Sequence, residues 1–383
     1  MEKFNFEESK FIVFLLFFDE LKQEDLIFNE NIILRKISDV EKKYFMDNYS
    51  KGISPDVLTH CLDIKFNNKD IIDEAKKIHN RIHKGYHKKS NEEYNKNTNN
   101  EKGTWLDKKI NPYIERPLDD VWPLLDNKEI NHYIYRVIHT RINNFENSIN
   151  LVVNIPVHIY AVGECNGSNL VKFNEYGEKY ASTFEHEAVI KSNHIESINK
   201  IFEKVKSIEM WDDNNDWWTI PFEFLERHAE FDSEVEGLLN LTIALESLLS
   251  GKDEPGEIGY RLKLRASLYL YEIRNINPIF VQNLIREIYG VRSKIVHGGS
   301  RVTQVYSIVD KNKNKKGRVG ISLGSLIVIF YDLIRIMLYD VILYHSEEPK
   351  EEFIKYIDTI WKNNGEGIVP YDIDEIKNYW DLL

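Results

Sequence analysis

Two side chains in the stretch Tyr289-Gly290-Val291-Arg292-Ser293-Lys294-Ile295-Val296-His297-Gly298-Gly299 can do chemistry together. Arg292 is always charged, and its planar donors match phosphate oxygens. His297 stands five positions further on, with four residues between, and a histidine can take or give a proton. RNA carries its own nucleophile, the 2′-hydroxyl. A histidine to move protons and an arginine to hold charge on the phosphorane are enough to break an RNA strand without a metal.

Geometry restricts how the pair can meet. Five positions along an ideal helix turn through about 140° beyond a full rotation, so one straight helix points the two side chains apart. They converge only if the helix ends at Gly298-Gly299, or if a second copy of the chain supplies the other half. A histidine in a last helical turn also feels the helix dipole, which favours its protonated form.

The elements around the pair read as helices. Leu238, Leu241, Leu245, Leu248 and Leu249 recur at helical spacing and make an apolar stripe that ends at Ser250-Gly251. Tyr260 to Ile273 is a second helix. Asn277-Pro278 opens a third, which runs to the paired glycines. After a charged loop from Lys311 to Arg318, Ile321 to Tyr344 is a strongly apolar fourth, and Lys350 to Trp361 a shorter fifth. Consecutive helices with short links predict a bundle. Pro221 suits a helix's first turn, so the domain boundary falls near residue 219.

Residues 1–219 read as mixed α+β. Phe11 to Phe18 is an eight-residue apolar run, a buried strand or helix segment. Ile32 to Ile37 is strand-like, and Ser38 with Glu41 forms a capping box at the start of a helix. Helices are expected over Asp70 to Lys84, 119–147 and Ser197 to Lys206, and a strand broken at Pro156 over 148–162. Lys88 to Gly103 has almost no apolar residues and reads as a mobile loop. The expected fold class is an α+β N-terminal domain, 1–219, followed by an all-α helical bundle, 220–383.

Composition sets the outer bounds. A chain of 383 residues is long enough for two domains. The formal charge of −12 argues against a protein that coats nucleic acid, but leaves room for a small basic site. Cys61 and Cys165 cannot make a disulfide framework or a cysteine zinc site, which suits a reducing cytoplasm. The longest apolar run is too short to cross a bilayer and follows Glu7 and Glu8 rather than a basic segment, so neither a membrane span nor a signal peptide is expected. His79, His83 and His87 share one helical face, but Lys76, Lys77, Arg81, Lys84, Lys88 and Lys89 surround them and would repel a cation. That face reads as solvated and basic rather than metal-binding, contact with RNA being the alternative. Trp211 to Trp218 reads as an acidic turn with core-packing tryptophans, a ligand pocket being the other reading.

Three segments in order carry a resemblance: Ala244-Leu245-Glu246-Ser247-Leu248-Leu249, Tyr260-Arg261-Leu262-Lys263-Leu264-Arg265-Ala266, and the stretch from Tyr289 to Gly299. Together, over about residues 221–345, they resemble the Apea-like branch of the HEPN superfamily. The resemblance implies a HEPN helical bundle that forms a homodimer, bringing two R-x4-6-H motifs into one composite cleft. It implies a metal-independent endoribonuclease that needs no cofactor, in a bacterial antiphage, abortive-infection or toxin-like role. Arg292 and His297 match the motif's two named positions. Ser293 follows the arginine, where many members have Asn, Asp or His, and can still donate a hydrogen bond. Glu246 shares an apolar helix face with Leu239, Thr242 and Leu249 and needs a partner, either Arg265 or Arg292. It either orients the catalytic arginine or forms a structural ion pair; Arg265 reads as structural. Lys294 and the loop residues Lys311, Lys313, Lys315 and Lys316 are the candidate RNA contacts. The N-terminal domain would sense a phage or host trigger, or restrain the nuclease. The alternative is a HEPN module without cleavage activity, serving as a dimerising scaffold or as a nucleotide- or RNA-binding partner.

Overall fold

The computed structural model describes residues 8–16, 25–49, 60–67, 69–81, 127–153, 158–166, 169–175, 190, 192–208, 216–228, 233–252, 258–297, 306–307, 320–321 and 323–364. An N-terminal region of β-sheet and helices is followed by a mainly α-helical region. The chain divides into two compact units.

The first unit holds a six-stranded sheet in the order β2-β3-β4-β1-β5-β6. Its strands are β1 (Glu8–Leu16), β2 (Leu26–Asn29), β3 (Ile32–Lys36), β4 (His60–Asn67), β5 (His158–Asn166) and β6 (Asn169–Glu175). Residues 11–16 of the apolar run thus lie in a strand, paired antiparallel with β4; residues 17 and 18 lie outside the described residues. Ile32 and Leu34 on β3 and Leu62, Ile64 and Phe66 on β4 are buried at period two, the spacing of one sheet face. Helix α1 (Asp39–Tyr49) starts at the expected capping box: Ser38 N–H donates to Glu41 Oε2 at 3.0 Å, and Glu41 N–H donates to Ser38 Oγ at 3.3 Å. Burial alone would raise the Glu41 pKa, but hydrogen bonds from Arg35 and Ser38 outweigh it and hold the carboxyl at about 2.

Two expectations for this part are corrected. Residues 148–152 are not strand; they complete helix α3 (Asn127–Val152), and the strand begins at His158. Ile134, Val137, Ile138, Ile142, Phe145 and Ile149 are all buried, so the helical stripe continues through the β-branched stretch and overrides its strand propensity. Pro156 lies outside the described residues. Residues 69–81 form helix α2, and His79 is fully buried on it with Ile71, Ala75 and Ile78 rather than solvated. The reason is spacing: those positions make one stripe, and the His79 ring packs edge-on against Tyr133 at 5.2 Å. His83, His87 and Lys88 to Gly103 lie outside the described residues.

The second unit contains the last residues of α3, from Glu146, and helices α4 (Ser192–Val205), α5 (Thr219–His228), α6 (Glu234–Leu249), α7 (Ile258–Arg274), α8 (Pro278–Val296), α9 (Leu323–Asp340) and α10 (Lys350–Asn364). The predicted leucine stripe on α6 is buried throughout, and it joins one core with residues of α5, α7, α8, α9 and α10. The fourth helix of the bundle differs from expectation. Ile321 belongs to a two-residue strand, β8 (Gly320–Ile321), paired with β7 (Tyr306–Ser307), and residues Val341–His345 widen into a π-helical turn after α9. Trp218 is buried in the core, and the partly buried Trp217 packs against it with its ring stacked on Phe353 at 5.3 Å, as expected of core-packing tryptophans. Trp211 lies outside the described residues.

Arg265 confirms its structural reading. Its Nε and Nη2 each donate to Asp358 at 2.9 Å, and its Nη1 donates to Leu249 O at 2.9 Å. One buried guanidinium thus closes the C-terminus of α6 and ties α7 to α10.

Candidate active site

The link between α7 and α8 sets where the motif lies. Asn275 adopts φ 55°, a left-handed conformation that asparagine tolerates better than most residues, and it ends α7. Two residues later the Asn277 side chain accepts from the N–H groups of Ile279 and Phe280, at 2.9 and 3.3 Å, and Pro278 occupies the first turn. Helix α8 is therefore started within three residues of α7's end. Phe280, Val281, Leu284, Ile285, Ile288 and Val291 are buried, which fixes the rotation of α8 and leaves the next position, Arg292, at the edge of the core.

Arg292 meets a carboxylate from α6. Its Nη2 lies 3.4 Å from Glu246 Oε1, and the Tyr289 hydroxyl donates to the same oxygen at 2.9 Å. The guanidinium carbon sits 5.7 Å from the centroid of the Tyr289 ring, within cation–π range. Burial, and then the nearby Glu246 charge, push the Tyr289 pKa well above the ordinary tyrosine value, so the phenol stays a proton donor to Glu246. Of the two partners open to Glu246, Arg292 is the one it has. The Arg292 side chain is still 36% exposed, so its outer donors reach solvent.

Helix α8 ends at Val296, and His297 is its C-cap, with φ −91° and ψ 11°. The His297 N–H bonds back to Ser293 O at 3.1 Å. The helix therefore stops at the expected place, just before Gly298 and Gly299, which lie outside the described residues. His297, Ser293 and Lys294 are exposed. Within one chain no hydrogen bond or ion pair joins Arg292 to His297 among the described residues. Lys311, Lys313, Lys315 and Lys316 lie outside the described residues.

The residues brought together are thus Glu246, Tyr289 and Arg292, with His297, Ser293 and Lys294 following on the final turn. Tyr289 had no assigned role in the sequence reading. The signal that could have found it is local: three residues before Arg292, it shares that residue's helix face. What the sequence could not supply is its bond to Glu246, 43 positions away.

Among the described residues, no three His, Cys, Asp or Glu side chains gather in a way that could hold a metal ion. No helix among them is long and apolar enough to cross a membrane. The chain matches no family model, no curated protein and no solved structure.

Proposed function

We propose that this chain is a metal-independent HEPN-type endoribonuclease of the cytoplasm that works as a homodimer. The observation that carries the reading is Arg292 itself: a guanidinium held from behind by a phenol-bound carboxylate, open to solvent in front, one turn from an exposed histidine. An arginine whose orientation is fixed before substrate arrives loses less freedom on gripping a phosphate.

In the proposed reaction a histidine removes the proton from a ribose 2′-hydroxyl. The 2′-oxygen attacks the adjacent phosphorus, and the bond to the 5′-oxygen breaks. That oxygen leaves with a proton from a second acid, giving a 2′,3′-cyclic phosphate and a 5′-hydroxyl end. In an in-line displacement the attacking 2′-oxygen and the leaving 5′-oxygen lie on opposite sides of the phosphorus, so one imidazole does not reach both. Two copies of the chain supply one of each, His297 and the partner's His297, and two Arg292 guanidinia hold the phosphorane charge. Ser293 donates to a phosphate oxygen or ribose hydroxyl, and Lys294 adds local positive charge. The loop lysines Lys311, Lys313, Lys315 and Lys316 extend the phosphate contacts. The N-terminal, sheet-bearing unit senses a phage or host trigger or restrains the nuclease, in an antiphage, abortive-infection or toxin-like role.

The test is cleavage of single-stranded RNA by purified wild type and His297→Ala, with EDTA present. The variant is expected to lose at least about a hundredfold in rate, the lower range for general acid–base catalysis. Mass spectrometry of the wild-type products is expected to show the cyclic phosphate. Equal cleavage by both proteins would overturn the assignment. Loss of RNA cleavage from wild type as well, with RNA binding intact, would favour the scaffold reading.

A further inference from the structure

The first turn of α7 lies against the motif. A Cβ added to Gly259 would stand 3.6 Å from the Tyr289 ring, and the Arg292 guanidinium lies 5.7 Å from the centroid of that ring. Tyr260 is the next residue, so its Cα is within about 9 Å of the ring's edge. Two of the three tyrosines on α7 are held by the fold: Tyr269 is fully buried and Tyr271 partly buried. Tyr260 is 59% exposed and does not pack against the core of the second unit, so folding gains little from a ring there.

An exposed tyrosine by itself is ordinary. Two neighbours set this one apart. One is the Arg292 site just described. The other is Lys263, one turn along α7, whose ammonium sits 5.8 Å from the Tyr260 ring centroid, within cation–π range. A flat ring beside a cation matches both halves of a nucleotide, because bases stack on aromatic side chains and phosphates pair with ammonium groups. Stacking also suits the charge of this chain. At a formal −12 the protein does not draw RNA in from a distance, whereas a ring face attracts a base at contact whatever the net charge.

We infer that Tyr260 is a stacking platform for a base of the substrate RNA, close to the scissile phosphate. The base lies on the ring face turned away from Lys263, and Lys263 pairs with a phosphate of the same strand. This inference rests on the proposed nuclease reading, because it takes Arg292 as the group that grips the scissile phosphate. A second copy of the chain is the other occupant an exposed ring could have. The ammonium on the ring and the guanidinium beside it favour a polyanion, and the test separates the two.

The test measures binding by the full-length His297→Ala protein, so it does not depend on cleavage. A fluorescein-labelled single-stranded RNA of about ten nucleotides is titrated by anisotropy at several salt concentrations, beside a fully abasic oligomer of the same length. Tyr260→Ala removes the ring, Tyr260→Trp replaces it with another, and Tyr344→Ala removes a tyrosine that is 70% exposed on the π-helical turn. Tyr260→Ala is expected to weaken RNA binding about tenfold, on the scale of one stacked base, with the slope of log affinity against log salt unchanged. Its effect on the abasic oligomer is expected to stay below about twofold, as are the effects of Tyr260→Trp and Tyr344→Ala on RNA. Unaltered RNA affinity in Tyr260→Ala, an equal loss with the abasic oligomer, an equal loss in Tyr344→Ala, or a tryptophan that fails to restore binding would each overturn the platform. Sedimentation decides on the other occupant: if Tyr260→Ala is monomeric where its parent is dimeric, the ring is a contact between copies and the inference fails. Cleavage that survives His297→Ala would sink the catalytic reading, while these binding results would still decide on Tyr260.

Discussion

The Glu246 carboxylate has two partners, and they do different things. An ion pair at 3.4 Å with a partly exposed arginine contributes about 0–1 kcal/mol, so its value does not lie in stability. The Tyr289 hydroxyl is a neutral donor in a half-buried position, and it fixes the carboxylate that in turn fixes Arg292. Tyr289→Phe removes that donor while keeping the ring under the guanidinium. The expected cost to folding is about 1 kcal/mol, read as a melting shift of a few degrees. Its expected effect on RNA cleavage is a loss of about three- to tenfold, the scale of a misplaced rather than a missing group, with the histidine limb of the pH–rate profile unmoved. A shifted histidine limb would mean that Tyr289 acts on His297 and not through Glu246. Unchanged cleavage beside a lowered melting point would reduce the tyrosine to packing.

Among the elements, those whose ends are set by nearby residues were legible in the sequence. Ser38 with Glu41 and Asn277 with Pro278 start helices where their side chains can reach unpaired N–H groups two or three residues away. The stop of α8 before the paired glycines was legible in the same way. The errors fell where distant packing decides. Residues 148–152 stay helical because one side of α3 is buried along its length, and His79 is buried because Ile71, Ala75 and Ile78 bring it with them. The strand order of the sheet and the Arg265–Asp358 tie join residues far apart in the chain, and no local spacing encodes them. The π-helical turn after α9 was equally hidden, and it follows a titratable group. Burial raises the Asp340 pKa from 3.8 to about 6, although Arg274 and His345 pull the other way. Below about pH 4 this carboxyl is protonated both folded and unfolded and has no effect on stability. Between about 4 and 6 the unfolded chain ionises first, so stability falls as pH rises; above 6 the full cost is present. Asp340→Asn is therefore expected to stabilise the protein at pH 7 by roughly 2–3 kcal/mol, with the gain vanishing near pH 4. Denaturant melts of both proteins across that range check it, and an equal difference at both ends would show that ionisation is not the cause.

At the scale of the whole molecule the difficulty is charge. A chain with a formal charge of −12 repels both RNA and another copy of itself at long range. Binding must then come from short-range contacts around Arg292, and it should weaken if they are lost. The proposed dimer adds a condition that can be measured without a structure of the complex. If each cleft needs His297 from both copies, a mixed dimer carrying one His297→Ala chain is inactive. Wild type and His297→Ala are mixed at a fixed total concentration and left to exchange subunits. With random pairing at equal amounts, about a quarter of the dimers keep both histidines, so about a quarter of the wild-type rate is expected. If each chain acts alone, half remains. A residual rate near one half, at concentrations where sedimentation shows dimers and labelled subunits have exchanged, would remove the shared cleft. His297 would then need a second proton carrier from its own chain.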